Sequence, residues 1–174
     1  MANRPKPGLT RRAVAALGLA PWLALASLPA PAAPAPPANT GGALTIEVGN
    51  VRNDRGRVVV DICPRERFLA DGCLFHASAP AHAGTTLITI AHLPPGDWAA
   101  QAFHDENSDG EINRGLFGMP KEGVGFSRDA RIVFSPPKWR DAVFAHGESA
   151  QTIHFALRYF MGPASPAEWQ KAHR

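Results

Sequence analysis

One segment of the chain, His104–Asn113 (HDENSDGEIN), carries oxygen-bearing side chains at alternating positions. Its spacing fits the calcium-loop template, in which oxygen ligands come from positions 1, 3, 5, 7 and 9 and glycine stands at position 6. Alternate residues are needed because the chain wraps one ion, and glycine permits the sharp turn. The predicted ligands are the side chains of Asp105, Asn107, Asp109 and Asn113 and the backbone carbonyl of Glu111.

The segment departs from the template at position 12, where Leu116 replaces the bidentate glutamate, and its flanks are not helical. Glu122 can complete the ligand shell if the Gly/Pro-rich segment that follows folds back onto the loop. The sequence therefore predicts an EF-like loop between β elements that binds calcium or a similar hard cation weakly and structurally. The alternative is a solvated loop of hydrogen-bonded Asx turns, because Asp, Asn, Ser and Gly also favour ordinary turns.

Catalysis would need a nucleophile or an acid/base pair in a cleft. The best candidate cluster is His104 beside Asp105 and Glu106, with Ser127 downstream, but no nucleophile elbow or zinc-binding HExxH motif accompanies it. Neighbours in a strand point to opposite faces, so His104 and Asp105 need not cooperate. We expect no enzyme; the alternative is a periplasmic hydrolase or metal-dependent enzyme that uses His104 and the acidic loop.

Two side chains are candidates for a ligand platform, Trp139 and His104. Trp139 lies in a Pro-Pro-Lys-Trp-Arg run and can serve as an exposed surface for a glycan or a peptide. The alternative is that Trp139 packs against the Gly-rich segment and that His104 buttresses the acidic loop. Five other aromatic side chains are expected mostly in the core: Trp98, Phe103, Phe117, Phe126 and Phe144.

Cys63 and Cys73 are the only cysteines. An even number of cysteines in an exported chain favours a disulfide, and a bridge of this separation would contribute roughly 2–3 kcal/mol. The alternatives are a redox pair or a metal thiolate pair. The spacing is not CxxC, and the chain has no third thiolate, so a structural disulfide is the prediction.

Period-two alternation of apolar residues predicts the elements that position these residues. Leu44, Ile46 and Val48 form one run and Val58, Val60 and Ile62 a second, and the intervening Asn-Asp-Arg-Gly turn predicts a hairpin. Further strands are predicted around Thr86–Ile90, Trp98–His104 and Ile153–Tyr159, with shorter ones at Cys73–Ala77, Ala130–Phe134 and Ala142–Ala145. Ser165, Pro166 and Glu168 have the pattern of a capping box and predict a short C-terminal helix. The predicted fold is all-β, an antiparallel sandwich of seven or eight strands.

The first 35 residues have the pattern of a secretory signal peptide, with a basic start, an apolar run and small residues before Ala33 and Ala35. Residues 36–42 are predicted to be a Pro/Ala/Gly leader, and residues 43–174 a single β-sandwich domain. The expected location is periplasmic or secreted, by the Sec route or, through Arg11–Arg12, the twin-arginine route. The alternative is an uncleaved membrane anchor.

Signal cleavage changes the charge of the protein. Four of the 18 Lys and Arg residues and none of the 15 acids lie in the first 35 residues, which leaves 14 basic and 15 acidic residues downstream. The net charge of +3 therefore belongs to the precursor. We expect no nucleic-acid partner and no transmembrane segment after cleavage; the expected partner is an unknown envelope or extracellular ligand.

The run LPPGDWAAQAFHDENSDGEINRGLFGMPKEGVGFS, Leu93–Ser127, resembles the signature of an exported bacterial family, domain of unknown function 2141. The shared features are a Pro-Gly turn, an aromatic residue, a strand ending in His-Asp-x-Asn, and a Gly-x-Pro-x-Glu-Gly-x-Gly-Phe-Ser run. The resemblance implies a prealbumin-like (Ig-like) β-sandwich and no assigned activity. Together with the acidic loop, it leads us to expect a non-catalytic binding or accessory module.

Overall fold

A computed structural model of the chain describes residues 41–70, 72–133 and 135–174. The predicted signal peptide and residues 36–40 of the predicted leader lie outside these residues. The described chain forms two β-sheets, one of three strands and one built mainly on four, with a further short strand at one end.

The described residues form eight strands and two short α-helices. The strands are β1 Gly42–Val51, β2 Arg57–Cys63, β3 Phe75–Pro80, β4 Gly84–Leu93, β5 Gly96–Asp105, β6 Val124–Phe126, β7 Phe144–His146 and β8 Gln151–Ala156. The helices are α1 Trp139–Ala142 and α2 Pro166–Ala172. Single 3₁₀ turns lie at Arg65–Arg67, Leu116–Gly118 and Ser127–Asp129.

The three-stranded sheet has the order β4-β1-β8. β1 pairs with β4 in antiparallel register, with Ile46 opposite Ile88, and with β8 in parallel register, with Ile46 opposite Ile153. The sandwich is thus confirmed, but one of its strand pairs is parallel. A parallel pair needs a long connection, and here β1 and β8 are joined through almost the whole domain.

The second sheet has the order β3-β2-β5-β6, and β7 pairs with the first residues of β5. Its β2–β5 pairing places Arg57 opposite Asp105 and Cys63 opposite Ala99. The two sheets join at one edge, where Val124 and Arg158 exchange two backbone hydrogen bonds of 3.0 and 2.8 Å. This junction fixes the start of β6, and with it Glu122, next to the end of β8.

The core lies between the two sheets and explains why the alternating runs form strands. Leu44, Ile46 and Val48 of β1 are fully buried, as are Val58, Val60 and Ile62 of β2. They share one cluster with Trp98, Phe155 and Leu157, among others. Alternate residues of β1 and β2 face this cluster, because successive side chains in a strand point to opposite faces.

The predicted hairpin between the first two strands is wrong. β1 pairs with β4 and β8, while β2 pairs with β3 and β5. The Asn-Asp-Arg-Gly turn does form, with Asn53 Oδ1 accepting the Arg55 N–H at 2.9 Å and Gly56 at φ +65°. It carries the chain from one sheet to the other, so that the apolar faces of β1 and β2 face each other across the core. If β1 and β2 were paired in one sheet, their apolar faces would lie side by side and could not pack against each other across the core.

Other local predictions need correction. Ala130–Val133 is irregular rather than a strand, and Phe134 lies outside the described residues. Ala142 ends helix α1, and the strand of this region is Phe144–His146. Phe117 is fully exposed rather than in the core. Gly42, which the sequence placed in the leader, pairs with Leu93 as the first residue of β1.

Two further predictions are confirmed. Cys63 and Cys73 form a disulfide, with their Cα atoms 4.9 Å apart. Helix α2 has Ser165 at its N-cap, where Oγ accepts the Glu168 N–H at 3.3 Å and Pro166 takes the first helical position. Among the described residues, no helix is both long enough and apolar enough to cross a membrane.

Candidate functional site

The acidic loop connects the end of β5 to the segment before β6. Asp105 is the last residue of β5 and is almost fully buried, at 1% exposure. Gly56, in the turn between β1 and β2, permits the close approach of the two segments, because a Cβ on Gly56 would lie 1.9 Å from the carbonyl oxygen of Asp105. The loop therefore starts at the edge of the core.

Asp105 organises the turn of the loop. Its Oδ1 accepts the backbone N–H of Asp109 at 3.1 Å, and its Oδ2 accepts that of Gly110 at 3.0 Å. Gly110 has φ +80°, the left-handed conformation that the template requires of its glycine. The residue at template position 1 thus folds the chain back on itself over four to five residues, as a cation-binding loop requires.

Three further side chains of the loop converge on one another. Asn107 Nδ2 donates to Asp109 Oδ2 at 2.7 Å and to Asn113 Oδ1 at 2.9 Å. Asn113 Nδ2 also donates to Asp109 Oδ2, at 2.8 Å. The structure therefore brings together the side chains at template positions 3, 5 and 9. The side chain of Glu111 is exposed, and its backbone N–H donates to Asp109 Oδ1 at 2.9 Å.

Glu122 lies against the acidic loop and closes it. Its Oε1 accepts the backbone N–H of Glu106 at 3.1 Å, and its Oε2 accepts that of Asn113 at 3.0 Å. One carboxylate thus ties the first and last parts of the loop together. Gly123 permits the approach, because a Cβ there would lie 2.4 Å from two ring carbons of Tyr159.

The electrostatics of the loop differ between its carboxylates. Burial raises the pKa of Glu122, and the neighbouring charges of Asp105 and Asp109 act in the same direction. The pKa of Asp109 is lowered, first by the backbone N–H of Glu111 and then by the amides of Asn113 and Asn107. The Glu122 carboxyl therefore ionises less readily than an ordinary glutamate. A cation placed among Glu122, Asp105 and Asp109 would favour its ionised form.

The oxygen atoms of the loop are of the kind that a hard cation takes, and several of them accept N–H groups in this structure. Carboxylate and amide oxygens are the ligands that calcium takes, and each carboxylate still has lone pairs beyond those that accept the N–H groups. Among the described residues, however, every buried side-chain nitrogen and oxygen already has a hydrogen-bond partner. Within the same residues, no three His, Cys, Asp or Glu side chains form a group arranged to hold a metal ion. Binding would have to replace existing N–H contacts, which favours low affinity.

His104 lies inside the protein, with none of its surface exposed. Its Nδ1 is 2.8 Å from Tyr159 Oη and its Nε2 is 2.8 Å from the carbonyl oxygen of Arg55. The carbonyl can only accept, so Nε2 carries the proton and the tyrosine hydroxyl donates to Nδ1. Burial lowers the pKa of His104 and raises that of Tyr159, and both shifts favour the neutral form of the group. The side chain has no face open to a ligand.

Arg52 and its ion pair with Glu106 are the part of the site that the sequence analysis missed. Arg52 Nε donates to Glu106 Oε1 at 2.6 Å, and Arg52 Nη1 donates to the carbonyl of Met161 at 2.9 Å. The guanidinium lies 4.5 Å from the centre of the Tyr159 ring. Asn53 Nδ2 donates to the other oxygen of Glu106 at 3.1 Å. These residues anchor the loop to the core and to the C-terminal segment. In the sequence, the sign of this role was that Glu106 is an acid of the loop at a position from which the calcium-loop template takes no ligand.

Ser127 and Trp139 lie elsewhere. Ser127 is 1% exposed, and its Oγ donates to the carbonyl of Ala142 and accepts the N–H of Ala100 at 2.9 Å. Its hydrogen bonds therefore do not include His104. Trp139 is half-buried and packs edge-to-face on Phe68, with ring centroids 5.7 Å apart, in a small cluster with Ala99, Ala130 and Ala142. Among the described residues, neither Ser127 nor Trp139 makes a side-chain hydrogen bond or a ring contact with the acidic loop.

Comparison with known proteins identifies a family but no individual relative. No curated protein and no solved structure matches the chain significantly. Residues 46–154, more than half of the chain, match a bacterial family described as uncharacterized protein conserved in bacteria, DUF2141. The matched range contains β2–β7, the acidic loop and Glu122, together with all but the first four residues of β1 and all but the last two of β8. The chain belongs to this family, domain of unknown function 2141.

Proposed function

We propose that this protein is an exported, non-catalytic β-sandwich that acts as a binding or accessory module, and that its acidic loop holds a structural calcium ion. The observation that carries the proposal is the convergence of the side chains of Asn107, Asp109 and Asn113 within 2.9 Å of one another. Asp105 and Glu122 add two carboxylates next to them.

Calcium would act on the loop through charge and through ligand exchange. Both Asn side chains point N–H groups at an oxygen, and rotation of the amide by half a turn presents its oxygen instead. The cation would then take the place of these N–H groups and balance three neighbouring carboxylates. Because the loop is already closed by Asp105 and Glu122, the ion stabilises an existing shape. We expect dissociation constants between about 10⁻⁶ and 10⁻³ M.

Calorimetric titration of the exported protein with calcium tests the metal proposal, together with thermal unfolding at about 10 mM calcium. The expected result is saturable heat with one ion per chain and a raised Tm, both abolished by Asp109→Asn. Asp97→Asn is the matched control, because Asp97 is an exposed residue at the start of β5 and the substitution makes the same chemical change. Absence of both heat and thermal shift in the unmodified protein would show that the loop is hydrogen-bonded without a metal role.

The non-catalytic part of the proposal rests on the placement of the best acid/base candidate. His104 is enclosed and both of its ring nitrogens are engaged by Tyr159 and Arg55. A catalytic base must reach a proton of the substrate. Activity against an ester, glycoside or phosphoester panel that is lost on His104→Gln while the fold is retained would contradict it.

Export has its own test. The sequence pattern supports a signal peptide with cleavage after Ala33 or Ala35. Mass spectrometry of the protein recovered from the periplasm or the medium should find a mature N-terminus at Pro34 or Pro36. An intact N-terminus in the membrane fraction would instead indicate the uncleaved anchor.

A further inference from the structure

A broad groove lies across the outer face of the second sheet, opposite the face that packs in the core. Its volume is about 1150 Å³, larger than the sites that usually hold one small molecule. Strands β3, β2, β5 and β6 form its floor, which spans three interstrand spacings of about 4.8 Å, or roughly 14 Å. Loops on either side form its walls. The groove is therefore long enough for a chain of several small units.

Two rows of outward-facing side chains cross this floor. One row runs Ser78, Val59, Phe103 and Val124, and the row beside it runs His76, Asp61, Gln101 and Phe126. The strand register thus places an apolar row with an aromatic ring directly beside a row of hydrogen-bonding groups. A ligand that lies along the floor meets both kinds of surface at once.

The hydrogen-bonding groups of the floor have capacity to spare. Asp61 Oδ1 lies 2.7 Å from His76 Nδ1, while its Oδ2 has no partner in the described part of the chain. Gln101 Oε1 accepts the Leu69 N–H at 3.3 Å, and its Nε2 has only the sulfur of Cys73, at 3.9 Å. The floor therefore offers both an acceptor and a donor to a ligand.

The middle of the floor can recognise a ligand only through side chains. β2 pairs with β3 and β5, and β5 pairs with β2 and β6, so both central strands are paired on each side. An extended peptide gains affinity by adding its main chain to an open strand edge, and the middle of this floor has no such edge. The arrangement favours a ligand that carries its own hydroxyl groups over a peptide.

The charges at the acidic-loop end of the groove are mixed. Arg57 and Arg114 are exposed there, and so are Asp109 and Glu111. Asp105 adds a further carboxylate, although it is 1% exposed and its oxygens accept N–H groups. An anionic ligand would meet these three carboxylates, and a cationic ligand would meet the two guanidinium groups. A hydroxyl group avoids both conflicts, because it can donate to a carboxylate and accept from a guanidinium.

One wall of the groove presents a free aromatic ring. Phe117 lines the groove, has φ +61° and is fully exposed. This conformation is rare and costly for a bulky residue. Because the ring is not buried, packing of the protein does not explain its position. An exposed ring face can pack against the C–H groups on the face of a sugar ring.

We infer that this groove binds a neutral, unbranched oligosaccharide. Its ring faces pack against Phe103 on the floor and Phe117 on the wall, and its hydroxyl groups bond to Asp61 and Gln101. The inference deepens the proposed binding role and rests on it only in that the sandwich binds a ligand. It requires no calcium in the acidic loop. The site is also distinct from Trp139, which does not line the groove.

Calorimetric titration of the exported protein with neutral hexasaccharides tests this inference, with cellohexaose, maltohexaose, xylohexaose and the N-acetylglucosamine hexamer as probes. The expected result is saturable binding of one molecule per chain by at least one of them. Its Kd should stay within about twofold between about 0.1 and about 1 M salt, because no charge is neutralised. The galacturonate and glucosamine hexamers, which are charged, should bind about tenfold more weakly than the best neutral one.

Two substitutions test the contacts. Asp61→Ala removes the free acceptor of the floor, and Phe117→Ser removes the ring of the wall; each should raise the Kd of the bound hexasaccharide about tenfold. The matched controls are Asp141→Ala, an exposed acid that also pairs with a basic side chain, and Leu116→Ser, the exposed neighbour of Phe117. Neither control residue lines the groove, so both should leave the Kd unchanged. Thermal unfolding of all four variants checks that the fold is retained.

Three results would overturn the inference: no binding of any neutral hexasaccharide, tighter binding of either charged hexamer, or equal loss of affinity in Phe117→Ser and Leu116→Ser. Binding followed by cleavage of the hexasaccharide would keep the groove assignment but contradict the non-catalytic role. The calcium titration reads the acidic loop alone. A protein that binds calcium and no hexasaccharide therefore loses this inference and keeps the metal proposal.

Discussion

Arg52 and Glu106 form an ion pair that is almost closed to water: Arg52 Nε lies 2.6 Å from Glu106 Oε1, and the two side chains are 11% and 10% exposed. The residues are 54 positions apart. Arg52 follows β1 of one sheet, and Glu106 follows β5 of the other. The pair therefore joins the two sheets at the base of the acidic loop.

Removing one partner of this pair should destabilise the protein strongly. Arg52→Met keeps the length and the contact with Tyr159 but leaves Glu106 as a buried charge, with a cost of about 3 kcal/mol in the free energy of unfolding. Arg140→Met is the control, because the Arg140–Asp141 pair is exposed and contributes under about 1 kcal/mol. Urea unfolding of both variants measures the difference. Equal losses in the free energy of unfolding would show that the buried pair contributes no more to stability than the exposed pair.

Glu122 should control the local stability of the loop. Glu122→Gln replaces one accepting oxygen by an N–H₂ group, so the backbone N–H of Glu106 or of Asn113 loses its acceptor. We expect hydrogen exchange at the affected amide to quicken about tenfold. Glu111→Gln makes the same chemical change on an exposed side chain of the same loop, and exchange there should stay as in the unmodified protein. Unchanged protection in both variants would mean that the loop is closed by Asp105 alone.

The sequence predicts those parts of the structure that depend on local pattern. Alternation in β1 and β2 identifies both strands and their buried faces, and the Asp105–Asn113 spacing identifies the side chains that converge. The pairing of strands is not local. β1 and β2 bury their faces against each other from different sheets, and the turn between them has the same residues that a hairpin would use.

The missed elements have equally specific reasons. β6, Val124–Phe126, is short and has Gly125 at its centre, so it lacks an alternating apolar pattern. Gly125 is needed because a Cβ would lie 2.8 Å from the carbonyl oxygen of Ala156. Glu106 belongs to an acidic stretch in which Asp109 and Glu111 are exposed, and its contacts with the distant Arg52 and with Asn53 leave its side chain only 10% exposed.

Stability should fall as the pH decreases through the range where histidine titrates, and His104 should account for part of the loss. Burial lowers its pKa below the ordinary 6.5, so below that pH the unfolded chain takes up a proton that the folded protein does not. The contribution is present above pH 6.5 and is lost as the pH falls toward the folded pKa.

Chemical unfolding at about pH 7 and about pH 5 measures this loss, which should be on the order of 1 kcal/mol for His104. His104→Gln should be less stable at both values, but with a smaller difference between them. The control His92→Gln substitutes an exposed histidine and should keep the full pH dependence. An undiminished pH dependence in His104→Gln would assign it to other groups.

The disulfide should contribute to global stability. The paired substitution Cys63→Ala/Cys73→Ala removes a cross-link between residues ten positions apart, and the free energy of unfolding should fall by about 2–3 kcal/mol. Cys63 is fully buried, so the single alanine there adds a small packing loss. Reduction of the unmodified protein separates the two effects, because it opens the bridge without removing a side-chain atom. A reduced protein as stable as the oxidised one would show that the bridge constrains only the loop.

Gly123 should tolerate no side chain, because its neighbour Tyr159 holds both His104 and the start of the Arg52 segment. A Cβ at this position would lie 2.4 Å from Cε1 and Cζ of the tyrosine ring and 2.8 Å from its hydroxyl. Relief requires the ring or the backbone of Glu122–Gly123 to move, and either movement weakens the hydroxyl's contacts with His104 at 2.8 Å and with the Arg52 N–H at 3.0 Å. Gly123→Ala should therefore lower the free energy of unfolding by about 2 kcal/mol.

The control is Gly147→Ala, where no atom lies within 4 Å of the added Cβ; it should change the free energy of unfolding by less than about 0.5 kcal/mol. If the clash with the ring is the cause, combining Gly123→Ala with Tyr159→Leu should cost less than the sum of the two single substitutions. An additive result would place the cost in the backbone at Gly123 rather than in its contact with Tyr159.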